Sequence, residues 1–333
     1  MRRYLIVGTG GTGGAIGAYL ARAGKDVTFI ARGAHLNAIR ERGLKVIRPK
    51  DEFVIERCKA CTLEEYNEKA DVIFVCVKGY SLENVIPKLQ EIADQNTIII
   101  PILNIYGTGA KLQPYFPESL VTDGCIYVAS EIGEPGVIKM NGDILRVIFG
   151  LRKADRERNK PAENSDTLGQ VTGGTDAIGL RLREIEKDLI ESEITGVLSD
   201  NIERDAFSKF SYISAQGACG LYYDVPAGPI QKPGEIRDCF AGLIHEIDLL
   251  AEAMGIRFEE DIVKKNLAII DSLSENMTTS MQRDIAAGKQ SEIDGLIYEV
   301  LRLAEQYQVD LPIYRKIAKD LAERRVGAIN SID

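Results

Sequence analysis

Three glycines near the start of the chain, Gly8, Gly10 and Gly13, have the G-x-G-x-x-G spacing that lets a peptide backbone close on a pyrophosphate. The first permits a tight turn, the second removes a Cβ that would hold a phosphate away, and the third lets a helix pack closely on the preceding strand. Gly10, Gly11, Thr12 and Gly13 would then offer the backbone N–H groups of a helix N-terminus to the phosphates. Arg32 falls at the end of the second expected strand, where an NAD site usually carries an acid for the ribose hydroxyls. A guanidinium there pairs with the 2′-phosphate that distinguishes NADP. Lys78 and Asn104 each follow an apolar run and so fall at the carboxyl ends of expected parallel strands, where open α/β sheets bind ligands. This set can hold a dinucleotide.

The elements needed to position these residues are legible. An apolar run at 4–7 enters the glycine turn and a helical stretch at 15–20 leaves it, as a dinucleotide fold requires. A second strand is expected at 27–31 and a hairpin over 44–58 around Pro49-Lys50-Asp51-Glu52. Near-continuous apolar runs at 71–77 and 97–103 read as buried parallel strands. Further strands are expected at 121–128, 137–140 and 144–149, the last two forming a hairpin about Asn141-Gly142. The charged stretch 152–166 reads as a solvated loop, followed by a helix near 175–188 and a strand near 193–197. From Ser199 the pattern turns helical: 201–217 with Ser199-Asp200 as its cap, then 236–254, 259–273, 292–308 and a last helix from Pro312. The expected fold is α/β, an N-terminal Rossmann-type, mostly parallel sheet over 1–198 with an all-helical C-terminal domain over 199–333 and a cleft between them.

Composition narrows the function. The 333 residues are 45% hydrophobic and 27% charged, with a net charge of −9, which disfavours nucleic acid and anionic membrane as partners. No run of about 18 apolar residues suggests a membrane span. Arg2 and Arg3 precede an apolar run that meets glycine after four residues, too short for a leader, and a reducing cytoplasm is the expected location. Cys58 and Cys61 have CxxC spacing without the second pair of a zinc site or the context of a redox motif, so no metal is expected. With only His35 and His245 present, a histidine-based dehydrogenase mechanism is disfavoured.

Over nearly its whole length the chain resembles the ketopantoate reductase (2-dehydropantoate 2-reductase) family. The likeness rests on the glycine turn, Arg32, Val77-Lys78, the segment Ile102-Leu103-Asn104-Ile105-Tyr106-Gly107 and Pro135-Gly136-Val137. In the helical half it rests on Asn201-Ile202 with Phe207-Ser208-Lys209, and on Thr279-Ser280-Met281-Gln282-Arg283-Asp284 followed by Gly288-Lys289-Gln290-Ser291-Glu292-Ile293-Asp294. The resemblance implies NADPH-dependent reduction of a 2-oxo acid, 2-dehydropantoate to pantoate or a related substrate. It implies Lys209 as proton donor and Glu292 as a group orienting Lys209 or a substrate hydroxyl. Asn104 would bond Lys209, the substrate or the nicotinamide, Ser280 the substrate carboxylate or hydroxyl, and Lys78 the phosphates or ribose. Departures fall on substrate positions: Ile213 and Gly217 replace family asparagines, Ile105 a glycine, and Ile297-Tyr298 an Asn-Gly. A dehydrogenase for a different hydroxy acid and a non-catalytic NADP(H)-binding protein stand as alternatives, and a homodimer is compatible with the helical half.

Overall fold

The computed structural model describes residues 1–158 and 174–327. These fall into two compact units, one of residues 1–103 and 107–205, the other of residues 104–106 and 206 onward.

The first unit opens with β1 (Arg3–Val7), α1 (Gly11–Arg22), β2 (Asp26–Ile30) and α2 (Gly33–Arg42). The hairpin β3 (Leu44–Ile47) and β4 (Glu52–Ile55) follows, then β5 (Lys59–Cys61), β6 (Val72–Val75), α3 (Leu82–Ile92) and β7 (Ile98–Pro101). After α4 (Thr108–Leu112) come β8 (Leu120–Val121), the long strands β9 (Asp123–Glu134) and β10 (Val137–Gly150), α5 (Lys153–Arg158), α6 (Gly174–Glu191) and β11 (Thr195–Leu198). One sheet has the order β5-β2-β1-β6-β7-β8 and every pairing in it is parallel. Its β6 and β7 are buried at every position, which is why those runs lack alternation.

A second sheet, absent from the sequence reading, has the order β11-β10-β3-β4, with β9 antiparallel to β10. Helix α1 packs against strands of both sheets, and its small residues make this close approach feasible. A Cβ on Gly14 would come within 2.5 Å of Ile138 Cδ1 on β10, and one on Gly17 would strike Phe29 on β2.

Three local expectations are corrected. The hairpin turns at Pro135-Gly136, with Gly136 at φ +83°, not at Asn141-Gly142. Asn141 and Gly142 instead lie inside β10 at a register irregularity, where turn-forming residues are tolerated as a bulge. The start of the charged stretch is no solvated loop: Arg152 is 6% exposed, its Nη2 2.6 Å from Asp155 on the first turns of α5 and donating to the Val121 carbonyl at 3.0 Å. The remainder of that stretch, 159–166, lies outside the described residues. The helix expected at 201–217 is capped by the Asn201 side chain, which accepts from the Arg204 N–H at 3.2 Å, while the Ser199 hydroxyl donates to Asp205.

The second unit is helical throughout its described residues. It takes in most of α7 (Ile202–Tyr223), then α8 (Ala227–Gln231), α9 (Glu235–Ala253), α10 (Ile262–Asp271) and α11 (Ser280–Ala286). A π turn at Asp294–Tyr298 leads into α12 (Glu299–Gln306), and α13 (Pro312–Glu323) is the last helix among the described residues. The core runs along α9, whose Phe240, Leu243, Ile244, Ile247 and Leu250 are fully buried. Glu246 on the same helix accepts from the Ile313 and Tyr314 N–H groups at 2.7 and 2.9 Å, satisfying the open N-terminus of α13. Among the described residues no helix is long and apolar enough to cross a membrane.

Asp188 on α6 ties the first unit together by accepting from Arg2, the Tyr4 hydroxyl and Lys25. Burial pushes its carboxyl up, but the hydrogen bonds from Lys25 and Tyr4 and the charges of Arg2 and Lys25 outweigh burial and hold it below the ordinary carboxylate value. Its contribution is therefore present above about pH 4 and is lost as pH falls through the depressed value. Asp188→Asn should lower stability by about 1–3 kcal/mol at pH 7, with the gap from wild type closing in denaturant titrations at pH 3. A gap that widens on acidification would contradict this assignment.

Candidate active site

In the first unit the glycine turn follows β1 and runs alongside the end of β6. Gly8 adopts φ +99°, and a Cβ there would lie 2.9 Å from the Cys76 carbonyl oxygen, so both backbone and space demand glycine. Thr9 anchors the turn, its N–H and hydroxyl both donating to the Ile30 carbonyl at 2.9 Å. Gly10 precedes the first turn of α1 and accepts from the Gly14 N–H at 2.7 Å. A Cβ at Gly10 would meet nothing within 4 Å, whereas one at Gly13 would collide with the Gly8 carbonyl oxygen. The glycines thus divide: Gly8 and Gly13 are required by the fold, and Gly10 borders open space. Gly11 belongs with the fold, since a Cβ on it would sit 2.5 Å from the Ser130 carbonyl oxygen of β9.

The N-terminus of α1 has no side-chain cap and no acid in its first turn. The N–H groups of Gly11, Thr12 and Gly13 have no partner four residues back inside the helix. Arg32, directly before α2, is exposed, and its side chain makes no hydrogen bond or ion pair among the described residues. Lys78 is half-buried, two residues beyond Cys76, at the start of a short 3-10 turn. Glycine turn, Arg32 and Lys78 follow the carboxyl ends of the three adjacent strands β1, β2 and β6.

His35, set aside in the sequence reading, sits close to the same turn. Its Nδ1 accepts from the Gly136 N–H at 3.0 Å, which joins α2 to the β9–β10 turn. Burial lowers its pKa and keeps the ring neutral, as that acceptor role requires.

In the second unit Lys209 Nζ donates to Asn104 Oδ1 at 2.8 Å. Lys209 is only 8% exposed, a rare placement for lysine unless the ammonium has a task or partners. Asn104 is carried into this unit by the segment 104–106, which Tyr106 fastens through an edge contact with Phe207, ring centres 4.6 Å apart. Ile105 packs over Gly295, where a Cβ would lie 2.5 Å from its Cδ1. Glu292, 5% exposed, stands just before the π turn. Ser280 opens α11, but the cap of that helix is Thr279, whose hydroxyl accepts from the Gln282 N–H while Gln282 Oε1 accepts from the Thr279 N–H. The Ser280 hydroxyl makes no hydrogen bond among the described residues. Among those residues no group of three or more metal-ligating side chains gathers.

Family models agree with this architecture. The ketopantoate reductase PanE/ApbA model matches residues 4–153, and the PanE/ApbA C-terminal model matches residues 201–324. The chain belongs to the ketopantoate reductase family. It is an oxidoreductase of that family, with the expected α/β fold and helical C-terminal region. Among its relatives is the uncharacterized oxidoreductase YkpB of Bacillus subtilis, 26% identical over 96% of this chain and 97% of that one. The crystal structure of 2-dehydropantoate 2-reductase from Porphyromonas gingivalis is similar at 26% identity and a TM-score of 0.76, covering 96% of this chain and 99% of that one. D-mandelate dehydrogenase in ternary complex with NADH and anilino(oxo)acetate shares the fold at 20% identity and a TM-score of 0.81, covering 99% and 100%.

The two kinds of glycine separate in the test tube. Gly10→Ala should leave thermal stability nearly unchanged and weaken nicotinamide dinucleotide binding at least tenfold in calorimetry. Gly13→Ala should destabilise the protein by about 1–3 kcal/mol through overpacking. Equal stability of the two variants would contradict the division.

Proposed function

We propose that the protein reduces a branched 2-oxo acid of the 2-dehydropantoate kind to the 2-hydroxy acid, using NADPH. The observation that carries this reading is the buried Lys209 ammonium held against Asn104 at 2.8 Å. Carbonyl reduction builds negative charge on oxygen, and a fixed ammonium both stabilises that charge and supplies the proton. Asn104 accepts an N–H of the ammonium, which fixes its direction. Glu292 orients Lys209 or a substrate hydroxyl, and the Ser280 hydroxyl serves the substrate carboxylate or hydroxyl. None of these roles uses histidine.

The residues of the first unit suit a dinucleotide. The backbone edge at Gly10 borders open space, the uncapped start of α1 favours an anion, and among the described residues nothing competes for the Arg32 guanidinium. Gly10, Gly11, Thr12 and Gly13 would hold the pyrophosphate, Arg32 the 2′-phosphate, and Lys78 the phosphates or ribose. A bound reduced nicotinamide supplies the hydride.

Lys209→Ala should lower kcat on the best substrate of a 2-oxo acid panel by about 10²–10⁴ while leaving NADPH affinity within a few-fold. Unchanged turnover would remove Lys209 from the chemistry. Arg32→Ala should weaken NADPH at least tenfold with little effect on NADH in paired calorimetric titrations. A wild-type protein that binds NADH more tightly than NADPH would overturn the role of Arg32.

A further inference from the structure

The π turn at Asp294–Tyr298 touches both elements whose contact sets the Lys209 ammonium. One is α7, which carries Lys209; the other is the segment 104–106, whose Asn104 accepts from Lys209 Nζ at 2.8 Å. On the side of the segment, Ile105 covers Gly295 so closely that a Cβ there would lie 2.5 Å from its Cδ1, 2.6 Å from its Cγ1 and 3.4 Å from its Cγ2. On the side of α7, the Ser214 hydroxyl donates to the Leu296 carbonyl at 2.6 Å. Two neighbouring residues of the turn therefore hold the two partners of one hydrogen bond.

Both contacts leave little play. The single Ser214 proton goes to Leu296, so the Tyr314 hydroxyl, 2.7 Å away, is the donor of the second pair. Ser214 and Tyr314 are fully buried, and no water can replace either bond. The Leu296 N–H donates to the Glu292 carbonyl at 3.0 Å, and Arg302 donates to both carboxylate oxygens of Asp294 at 3.0 and 2.9 Å, which fixes the entry to the turn as well. Gly295 is not among the glycines with positive φ, so alanine would suffer no backbone strain there; what it lacks is room. Rotating Cδ1 away would still leave Cγ1 at 2.6 Å, and a β-branched side chain is stiff at χ1. To regain ordinary contact the segment itself would have to yield by about 1 Å.

We propose that the π turn is the gauge that holds Asn104 at hydrogen-bonding distance from Lys209, with Gly295 and Ser214 as its positioning residues. This rests on the reading of Lys209 as proton donor. Gly295 acts through Ile105, which is bonded directly to Asn104, and Ser214 acts through the Leu296 carbonyl from a place five residues along α7 from Lys209. A misplacement of about 1 Å at a reacting group costs up to about 10² in rate. That is the size of the move a side chain at 295 would impose on the segment.

The test is a double-mutant cycle on the full-length protein. It reads kcat and KM for 2-dehydropantoate, or for whichever acid of a 2-oxo acid panel is turned over fastest, together with NADPH affinity by calorimetry. Gly295→Ala should lower kcat about ten- to a hundredfold and leave NADPH affinity within a few-fold. In the Ile105→Ala background, where the three obstructing atoms are gone, the same substitution should cost less than about threefold. Ser214→Ala should lower kcat about tenfold or more, again with NADPH affinity kept, whereas a purely structural role would lower thermal stability and spare kcat. An equal loss from Gly295→Ala in both backgrounds overturns the route through Ile105. Unchanged kcat in Ser214→Ala overturns the gauge even if Gly295→Ala does not fold. If no acid of the panel is reduced, or if Lys209→Ala keeps full turnover, the parent reading falls and takes this one with it; a heavy loss in Lys209→Ala beside unchanged kcat in Gly295→Ala and Ser214→Ala sinks only the gauge.

Discussion

A lysine ammonium buried within a helical core is the constraint on which the second unit turns. Removing such a charge from water is costly, and a lysine left alone there would be displaced or neutralised. The structure meets the cost with the Asn104 side-chain carbonyl at 2.8 Å. That asparagine is brought from a distant part of the sequence by a three-residue segment whose neighbours on either side belong to the other unit. Tyr106 on Phe207 and Ile105 over Gly295 hold the segment in place. Where the family pattern has glycine this chain has Ile105, and the volume it needs is available because residue 295 lacks a side chain. The departure in the sequence thus has a packing counterpart in the fold.

The first unit is governed by a different economy, that of small residues. Its α1 packs on strands of both sheets, and glycine recurs along it because backbone or side chains approach from each side: the Gly8 carbonyl at Gly13, Ser130 at Gly11, Ile138 at Gly14 and Phe29 at Gly17. Among Gly8, Gly10, Gly11, Gly13, Gly14 and Gly17, only Gly10 has the place of its missing side chain unclaimed by the described residues. A glycine-rich signature of this kind therefore mixes two messages, one about packing layers and one about an open backbone edge. Coordinates separate them where spacing alone assigns all to the ligand.

Much of this was legible before any coordinates. The apolar runs that became β1, β6 and β7 stand out because strands covered on both faces need no alternation, and the helical half declares itself by its period. What escaped was long-range or subtle. The second sheet is built by β10 pairing with β3 and β11 from remote parts of the chain, and no local pattern records such a pairing. Asn141-Gly142 looked like a turn because turns and bulges call for the same residues. The charged run misled because Arg152 is buried against Asp155, a pairing that hydropathy cannot see. In the site, Lys209 and Asn104 were nameable from motifs, but their contact was not, and Ile105 seated over Gly295 could be found only in three dimensions.

The central claim is that the Lys209 ammonium delivers the proton to the reduced carbonyl. Its most direct measurement is the pH dependence of kcat/KM for 2-oxo acid reduction in wild type and in Lys209→Gln. A donor that must be protonated imposes a fall in rate on the alkaline side. The account predicts that this limb is present in wild type and missing from the residual activity of the variant; an alkaline limb unchanged in Lys209→Gln would contradict it.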